Sequence, residues 1–196
     1  SIEKMIGDQE KMNSILGVGI ALPGLIDYES GSILTTHSLK EWEGFPIKSF
    51  LEKALDTKIY MENDVKAITL GEYHWGAGQH AKNVVYIWLG EGIGAGIIIN
   101  GDIYRGITAS AGEIGYTEFS ARGINRGKYP ILYQDQRRFG EILTTPHLEN
   151  SLQKAVNANG RMTSLKDSEI NLQSIASAAK NHDPLALDAL NEFGEI

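Results

Sequence analysis

Gly90-Glu91-Gly92-Ile93-Gly94-Ala95-Gly96-Ile97-Ile98-Ile99-Asn100-Gly101 is the stretch on which the choice of fold turns. Its glycines admit a loose dinucleotide-binding fingerprint through Gly90, Gly92 and Ala95. That fingerprint requires a helix next, with its N-terminus on the pyrophosphate. The next residues are instead Ile97-Ile98-Ile99, all β-branched, and then Asn100-Gly101, a pair that favours a tight turn. The segment therefore reads as strand, and the dinucleotide fold is rejected. The apolar run Val84–Leu89 stands before it, so residues 84–89 and 97–100 form a β-hairpin over a glycine-rich turn, and Ile103-Tyr104 begins a third strand. Spacing alone leaves two uses for that turn: bare backbone amides approaching a ligand, or a plain connection.

Working outward, residues 16–25 (LGVGIALPGL) read as a buried strand that ends at the Pro23-Gly24 corner. Residues 27–31 are turn-like, and 32–36 form a short strand. Phe45-Pro46 opens a helix over residues 47–55, with Phe50, Leu51 and Leu55 on one face. Residues 58–62 make a second strand that runs into Asn63-Asp64, a pair able to cap the helix of residues 65–75. That helix stops at Gly76-Ala77-Gly78. Residues 2–15 place Ile2, Met5, Ile6, Met12 and Ile15 at helical spacing. Toward the other end, helices are expected at about 148–158, 171–180 and 184–193, the last announced by Asp183-Pro184. A composition shift near residues 78–83 marks the place for a lobe boundary, giving 1–80 and 81–196 if the chain forms two lobes rather than one domain.

The chain has 196 residues, a formal net charge of −7 and a hydrophobic fraction of 42%. That composition suits a globular α/β core and argues against this surface gripping nucleic acid, which is usually basic. The exception is 120–140, where Arg122, Arg126, Lys128, Arg137 and Arg138 face only Asp135. With no cysteine, disulfides, Cys-based zinc sites and thiol nucleophiles are excluded. The five histidines have no metal-ligand spacing, so no metal and no cofactor are expected. No apolar run approaches the length of a membrane span, and no secretory signal is visible. A cytoplasmic location is expected. Both ends, Ser1 and Ile196, read as cuts in a longer protein.

Two clusters carry candidate chemistry. Glu62-Asn63-Asp64 lies where a strand ends and a helix begins, the place where open α/β sheets hold ligands. There Asp64 can act as a base toward a hydroxyl, and Asn63 can both donate to and accept from one. Simple helix capping explains the pair equally well. Gly112-Glu113-Ile114-Gly115-Tyr116 offers a carboxylate between glycines, either a ligand contact or a solvated loop group.

Taken in order, these pieces resemble the ROK (repressor/ORF/kinase) family of sugar-responsive repressors and sugar kinases. The residues are Gly17-Val18-Gly19-Ile20-Ala21-Leu22-Pro23-Gly24-Leu25-Ile26-Asp27, Leu39 to Trp42, Glu62-Asn63-Asp64, Leu70-Gly71-Glu72 with Gly76-Ala77-Gly78, and Gly92-Ile93-Gly94-Ala95-Gly96. The series continues with Asn100-Gly101, Tyr104-Arg105-Gly106 and Ala111-Gly112-Glu113-Ile114-Gly115. The resemblance implies an actin-like ATPase, ribonuclease H-like α/β fold of two lobes, both incomplete at the chain ends, with a sugar in the cleft. It assigns Gly24, Asn63, Asp64, Glu113 and Tyr116 to sugar binding, and makes Asp64 the catalytic base if the protein is a kinase. Glu141 is the nearest match to a further glutamate ligand.

Departures from the family's kinases set the functional expectation. Residues 1–15 lack the early phosphate loop. In the turn whose remnant is Gly92 and Gly94, the usual small hydroxyl residue is replaced by Glu91. A carboxylate about 4 Å from a phosphate charge costs on the order of 1–4 kcal/mol. Ser38 stands where relatives usually have Asn, and Tyr116 stands where many have a zinc-binding His. With no Cys present, the chain resembles the zinc-free xylose-repressor-type branch. The expected function is the sugar-sensing effector domain of a repressor. Its DNA-binding helix-turn-helix lies outside this chain, its effector is a small sugar, and it forms a homodimer or higher oligomer. The alternative is an ATP-dependent sugar kinase using Asp64.

Overall fold

The computed structural model describes residues 15–118, 138–158 and 162–195. The helix expected over 2–15, apart from Ile15, and the basic segment up to residue 137 lie outside those residues. Strand β1 (Val18–Leu22) is followed by the hairpin β2 (Leu25–Asp27) and β3 (Ser32–Thr35). Helix α1 (Ile47–Leu55) leads to β4 (Ile59–Asn63), helix α2 (Asp64–Trp75), and the strands β5 (Val84–Leu89), β6 (Ile93–Ile99) and β7 (Asp102–Ile103). Among the described residues four helices come after them: the short α3 (Phe139–Ile142), then α4 (Thr145–Asn157), α5 (Leu172–Lys180) and α6 (Pro184–Glu195). Sheet orders are β1-β4, β2-β3 and β5-β6-β7.

The chain divides into two compact units. One comprises Ser1–Tyr86 and Gly96–Ala111, the other Ile87–Ala95 and Gly112–Ile196. The first unit therefore takes in β7 and the loop after it, which a division at residue 80 assigns to the second lobe.

In the first unit, β1 and β4 run parallel, with Val18 opposite Ile59 and Leu22 opposite Asn63. A parallel pair needs a crossover, and α1 supplies part of it. Their carboxyl ends coincide, so the Pro23-Gly24 corner and Asn63-Asp64 leave the sheet side by side. β1 alternates half-buried and exposed residues, Gly19 and Ala21 being exposed, so it is not the fully buried strand its apolar run suggests. Ile26, Ile33 and Ile47 form the core here, with Leu22, Tyr28, Leu39, Leu51 and Met61 packed on it. Phe50, expected on the buried face of α1, is 56% exposed and meets Phe45 edge-on instead. Ile47 and Leu51, one turn apart, make the buried face.

The glycine-rich stretch differs from expectation. Only Gly90–Gly92 is turn, and Gly94 and Gly96 lie inside β6. A Cβ on Gly96 would meet the Thr69 side chain at 1.8 Å, so its missing side chain lets α2 lie against the strand. The second unit is mainly helical. Ile142, Leu148, Leu152, Leu165, Ile175, Ala178, Leu185, Ala186 and Ala189 form its core. α4 begins three residues before the expected start, because Thr144 accepts from His147 N–H and a proline sits in the first turn. Among the described residues no helix is long and apolar enough to cross a membrane.

Candidate functional site

The carboxyl ends of β1 and β4 bring three of the expected site residues together. Gly24 has φ +109°, and a Cβ there would lie 2.3 Å from the Thr35 carbonyl oxygen, so only glycine fits this corner. Its own carbonyl accepts from Asn63 Nδ2 at 3.1 Å. The second Nδ2 proton goes to Asp64 Oδ1, also at 3.1 Å, while Asn63 Oδ1 caps α2 by accepting from Lys66 N–H at 3.0 Å. Asn63 is 6% exposed, so its amide is a buried, fully engaged joint.

Of the two uses the sequence leaves open for Asn63, ligand contact and helix capping, the cap is present, and both Nδ2 protons are engaged within the protein. The physical reason is the N-cap position: capping turns Oδ1 onto the helix and leaves Nδ2 facing the Gly24 corner. Asn63 orients Asp64 through its Nδ2. Asp64 Oδ1 accepts from Asn63 and from Val65 N–H at 2.8 Å. Its Oδ2 has no hydrogen-bond partner among the described residues, and the side chain is half-buried at the start of a helix, where the macrodipole favours a carboxylate. An oriented carboxylate with one open oxygen suits a neutral hydroxylated ligand, because charge-assisted hydrogen bonds are roughly twice as strong as neutral ones.

Sequence reasoning missed the network behind this corner. Glu62 Oε1 accepts from the Tyr28 hydroxyl and from Asn63 N–H at 2.9 Å. Its Oε2 accepts from Arg105 Nε at 3.0 Å and Nη2 at 2.6 Å. The Arg105 guanidinium also lies 5.1 Å above the Tyr28 ring. Burial, the hydrogen bond to Glu62 and its negative charge together push the Tyr28 phenol far above the ordinary tyrosine range. Burial by itself would lower Arg105, but the hydrogen bond and charge of Glu62 outweigh it and the guanidinium is held more firmly charged. Lys66, 1% exposed, donates from Nζ to the Ala109 carbonyl at 3.1 Å. The sequence signal for this network is the placing of Glu62 directly before Asn63-Asp64 and of Arg105 after the hairpin, but nothing in the sequence pairs them.

Glu113 and Tyr116 belong to the second unit. Gly112 (φ +89°) accepts through its carbonyl from Ala95 N–H at 2.7 Å and from Ile114 N–H at 2.8 Å. A Cβ on it would lie 1.8 Å from the Ala95 carbonyl oxygen. Glu113 then precedes the short 3-10 turn Ile114–Tyr116. Tyr116 is 49% exposed, with Arg138 Cζ 5.9 Å from its ring centre. Glu141 Oε2 accepts from Arg138 N–H at 3.1 Å, closing the start of α3. Gly92 sits in the β5–β6 turn and Gly94 in β6, and Glu91 is exposed at the turn between Gly90 and Gly92. Ser38 is exposed, and its N–H donates to Thr36 Oγ1 at 3.4 Å. Among the described residues no group of three or more His, Cys, Asp or Glu side chains is arranged to hold a metal ion.

A family model described as the ROK family matches residues 1–196. A xylose repressor of Caldicellulosiruptor bescii is 39% identical over 103 residues, covering 53% of this chain and 26% of the repressor. A glucokinase of Halalkalibacterium halodurans is 32% identical over 199 residues, covering 97% of this chain and 58% of the kinase. The crystal structure of a ROK family transcriptional regulator, a homologue of the E. coli MLC protein, superposes with TM-score 0.80 at 25% identity, over 98% of this chain and 48% of that one. The chain thus spans about a quarter to three-fifths of these relatives.

Proposed function

Because this chain belongs to the ROK family, with its actin-like ATPase fold, we propose that it is the sugar-sensing core of a ROK-type transcriptional repressor. Asp64 is its principal sugar contact, accepting a hydroxyl through Oδ2, while Asn63 fixes the carboxylate and Gly24 forms the corner beside it. Glu113 and Tyr116 are assigned to sugar contact by resemblance alone. DNA contact belongs to a helix-turn-helix outside these 196 residues. Sugar acts on it only as far as the two states of the protein differ in sugar affinity. A cytoplasmic homodimer or higher oligomer suits such a repressor.

The observation that favours a sensor over a kinase is Glu91. It is exposed at the β5–β6 turn, beside Gly92 and Gly94, where the resemblance implies a small hydroxyl residue in the family's kinases. A fixed negative charge there opposes a triphosphate and does nothing against a neutral sugar. The kinase reading keeps one supporting observation: Asp64 Oδ2 is open and oriented as a general base would be. The test is calorimetric titration with D-xylose, D-glucose and N-acetylglucosamine, beside a coupled assay for ADP release. Sugar-induced heat without ADP supports the sensor. Turnover of even about 1 s⁻¹, within the usual kinase range, returns the protein to the kinases.

A further inference from the structure

Glu62 carries four donors on two oxygens, so it has no capacity left to bind a ligand itself. Its side chain is 14% exposed, and one of its four donors is the backbone N–H of Asn63. The series runs from Arg105 to Glu62, from Glu62 to the Asn63 main chain, and from the Asn63 side chain to Asp64 Oδ1. Every link is between 2.6 and 3.1 Å. We propose that Arg105 is a positioning residue for the Asp64 carboxylate, acting through Glu62 and Asn63. The proposal rests on the sugar-binding reading of Asp64 and adds a residue 41 positions away that governs the same site.

The root of Arg105 is itself fixed. Its carbonyl accepts from Ala111 N–H at 3.0 Å, and the loop between them is tied to the first turn of α2 by Lys66 Nζ on the Ala109 carbonyl. The guanidinium lies over the Tyr28 ring, 5.1 Å from its centre. An isolated, exposed Arg–Glu pair contributes little to stability, whereas this one is part-buried and shares Glu62 with two further donors. The consequence here is orientation: without Arg105, Glu62 loses two donors, rotates toward water and releases the Asn63 N–H. Nε and Nη2 converge on the one oxygen Oε2, and a lysine offers a single ammonium in their place.

The experiment compares wild type, Arg105→Met, Arg105→Lys, Tyr28→Phe, Asp64→Asn and the Asp64→Asn/Arg105→Met double variant. Each is titrated with D-xylose and D-glucose and followed through thermal unfolding. Arg105→Met is expected to weaken sugar binding about tenfold, the size of one lost charge-assisted hydrogen bond. Arg105→Lys should restore only part of it, because one ammonium replaces two converging N–H donors, and Tyr28→Phe should weaken binding about two- to threefold. In the Asp64→Asn background, removing Arg105 should cost less than about twofold, because both changes act on one group. A role confined to stability lowers the melting temperature and leaves affinity intact. That result, or losses that multiply in the double variant, overturns the proposal. Should Arg105→Met not fold, Tyr28→Phe alone decides by the same comparison. If wild type binds neither sugar at about 50 mM, far above a millimolar Kd, the sugar reading fails. The positioning proposal is then read from the carbon-13 chemical shift of the Asp64 carboxyl at a single pH, which must differ between wild type and Arg105→Met and which, unchanged, refutes it.

Discussion

Replacing Asn63 with alanine tests the corner on which the site is built. The substitution removes the N-cap of α2, worth typically about 1 kcal/mol. It also strips the Gly24 carbonyl and Asp64 Oδ1 of a shared donor, and a part-buried carbonyl left without its partner adds about 1–2 kcal/mol. The residue is 6% exposed, so solvent replaces little of this. The expected loss is about 2–3 kcal/mol, which at roughly 2–4 °C per kcal/mol for a chain of this size lowers the melting temperature by about 4–12 °C. Asn63→Ser separates the two contributions: a serine hydroxyl still caps the helix but does not reach Gly24, so it should recover about 1 kcal/mol. Urea denaturation, with equal m-values checked across the variants, reads both. An Asn63→Ala protein within about 0.5 kcal/mol of wild type, the range of inert surface changes, would refute the claim that this amide holds the corner.

Three further outcomes are expected. Gly112→Ala, which forces a Cβ to 1.8 Å from the Ala95 carbonyl oxygen at φ +89°, should cost about 3 kcal/mol or more through backbone strain and overpacking; wild-type stability in urea would contradict it. Asp183 sits at the start of α6. Burial works to raise its pKa, but N–H groups of Ser164 and Ala186 and hydroxyls of Ser164 and Thr163 hold it below the ordinary 3.8. Its contribution is therefore present above pH 3.8 and lost as pH falls through the lower folded value, so Asp183→Asn should flatten the acid limb of a stability–pH curve; an unchanged limb rejects this. The Tyr28 phenol, raised by burial and by Glu62, stabilises the fold below the ordinary tyrosine pKa of about 10 and loses that effect only as pH rises through its higher folded value. Tyr28→Phe should leave the phenolate absorbance developed by about pH 11 unchanged, and a drop by one tyrosine's worth would show that Tyr28 titrates normally.

Local chemistry makes much of this chain legible. Pro46 before residues 47–55, Asn63 before α2 and Asp183-Pro184 before α6 are cap signals, and each element starts where its signal stands. The strand ends at Pro23-Gly24 and Asn63-Asp64 are legible for the same reason. The features hidden from the sequence depend on partners distant along the chain. Gly94 and Gly96 look like turn residues because a glycine run is silent about close packing, and the Thr69 side chain that requires Gly96 is 27 positions away. Apolarity puts Phe50 on the buried face, whereas α1 buries Ile47 and Leu51 and leaves Phe50 against Phe45. Whether Asn63 caps a helix or meets a ligand stays open in the sequence, because the Gly24 carbonyl that engages its amide lies 39 residues earlier. Tyr28, Glu62 and Arg105 have no shared signature at all.

The most direct test of the account is calorimetric titration of wild type and Asp64→Asn with the same sugar, D-xylose first and D-glucose second. Asp64 offers the open Oδ2 of an oriented carboxylate, and neutralising it removes a charge-assisted hydrogen bond worth about 1.5–3 kcal/mol. Binding is expected to weaken about tenfold to a hundredfold, while loss of the carboxylate from the helix start lowers the melting temperature by no more than about 4 °C. A sugar that binds both proteins equally would make Asp64 a helix-start residue and nothing more, and would contradict the sugar-sensing assignment of this corner.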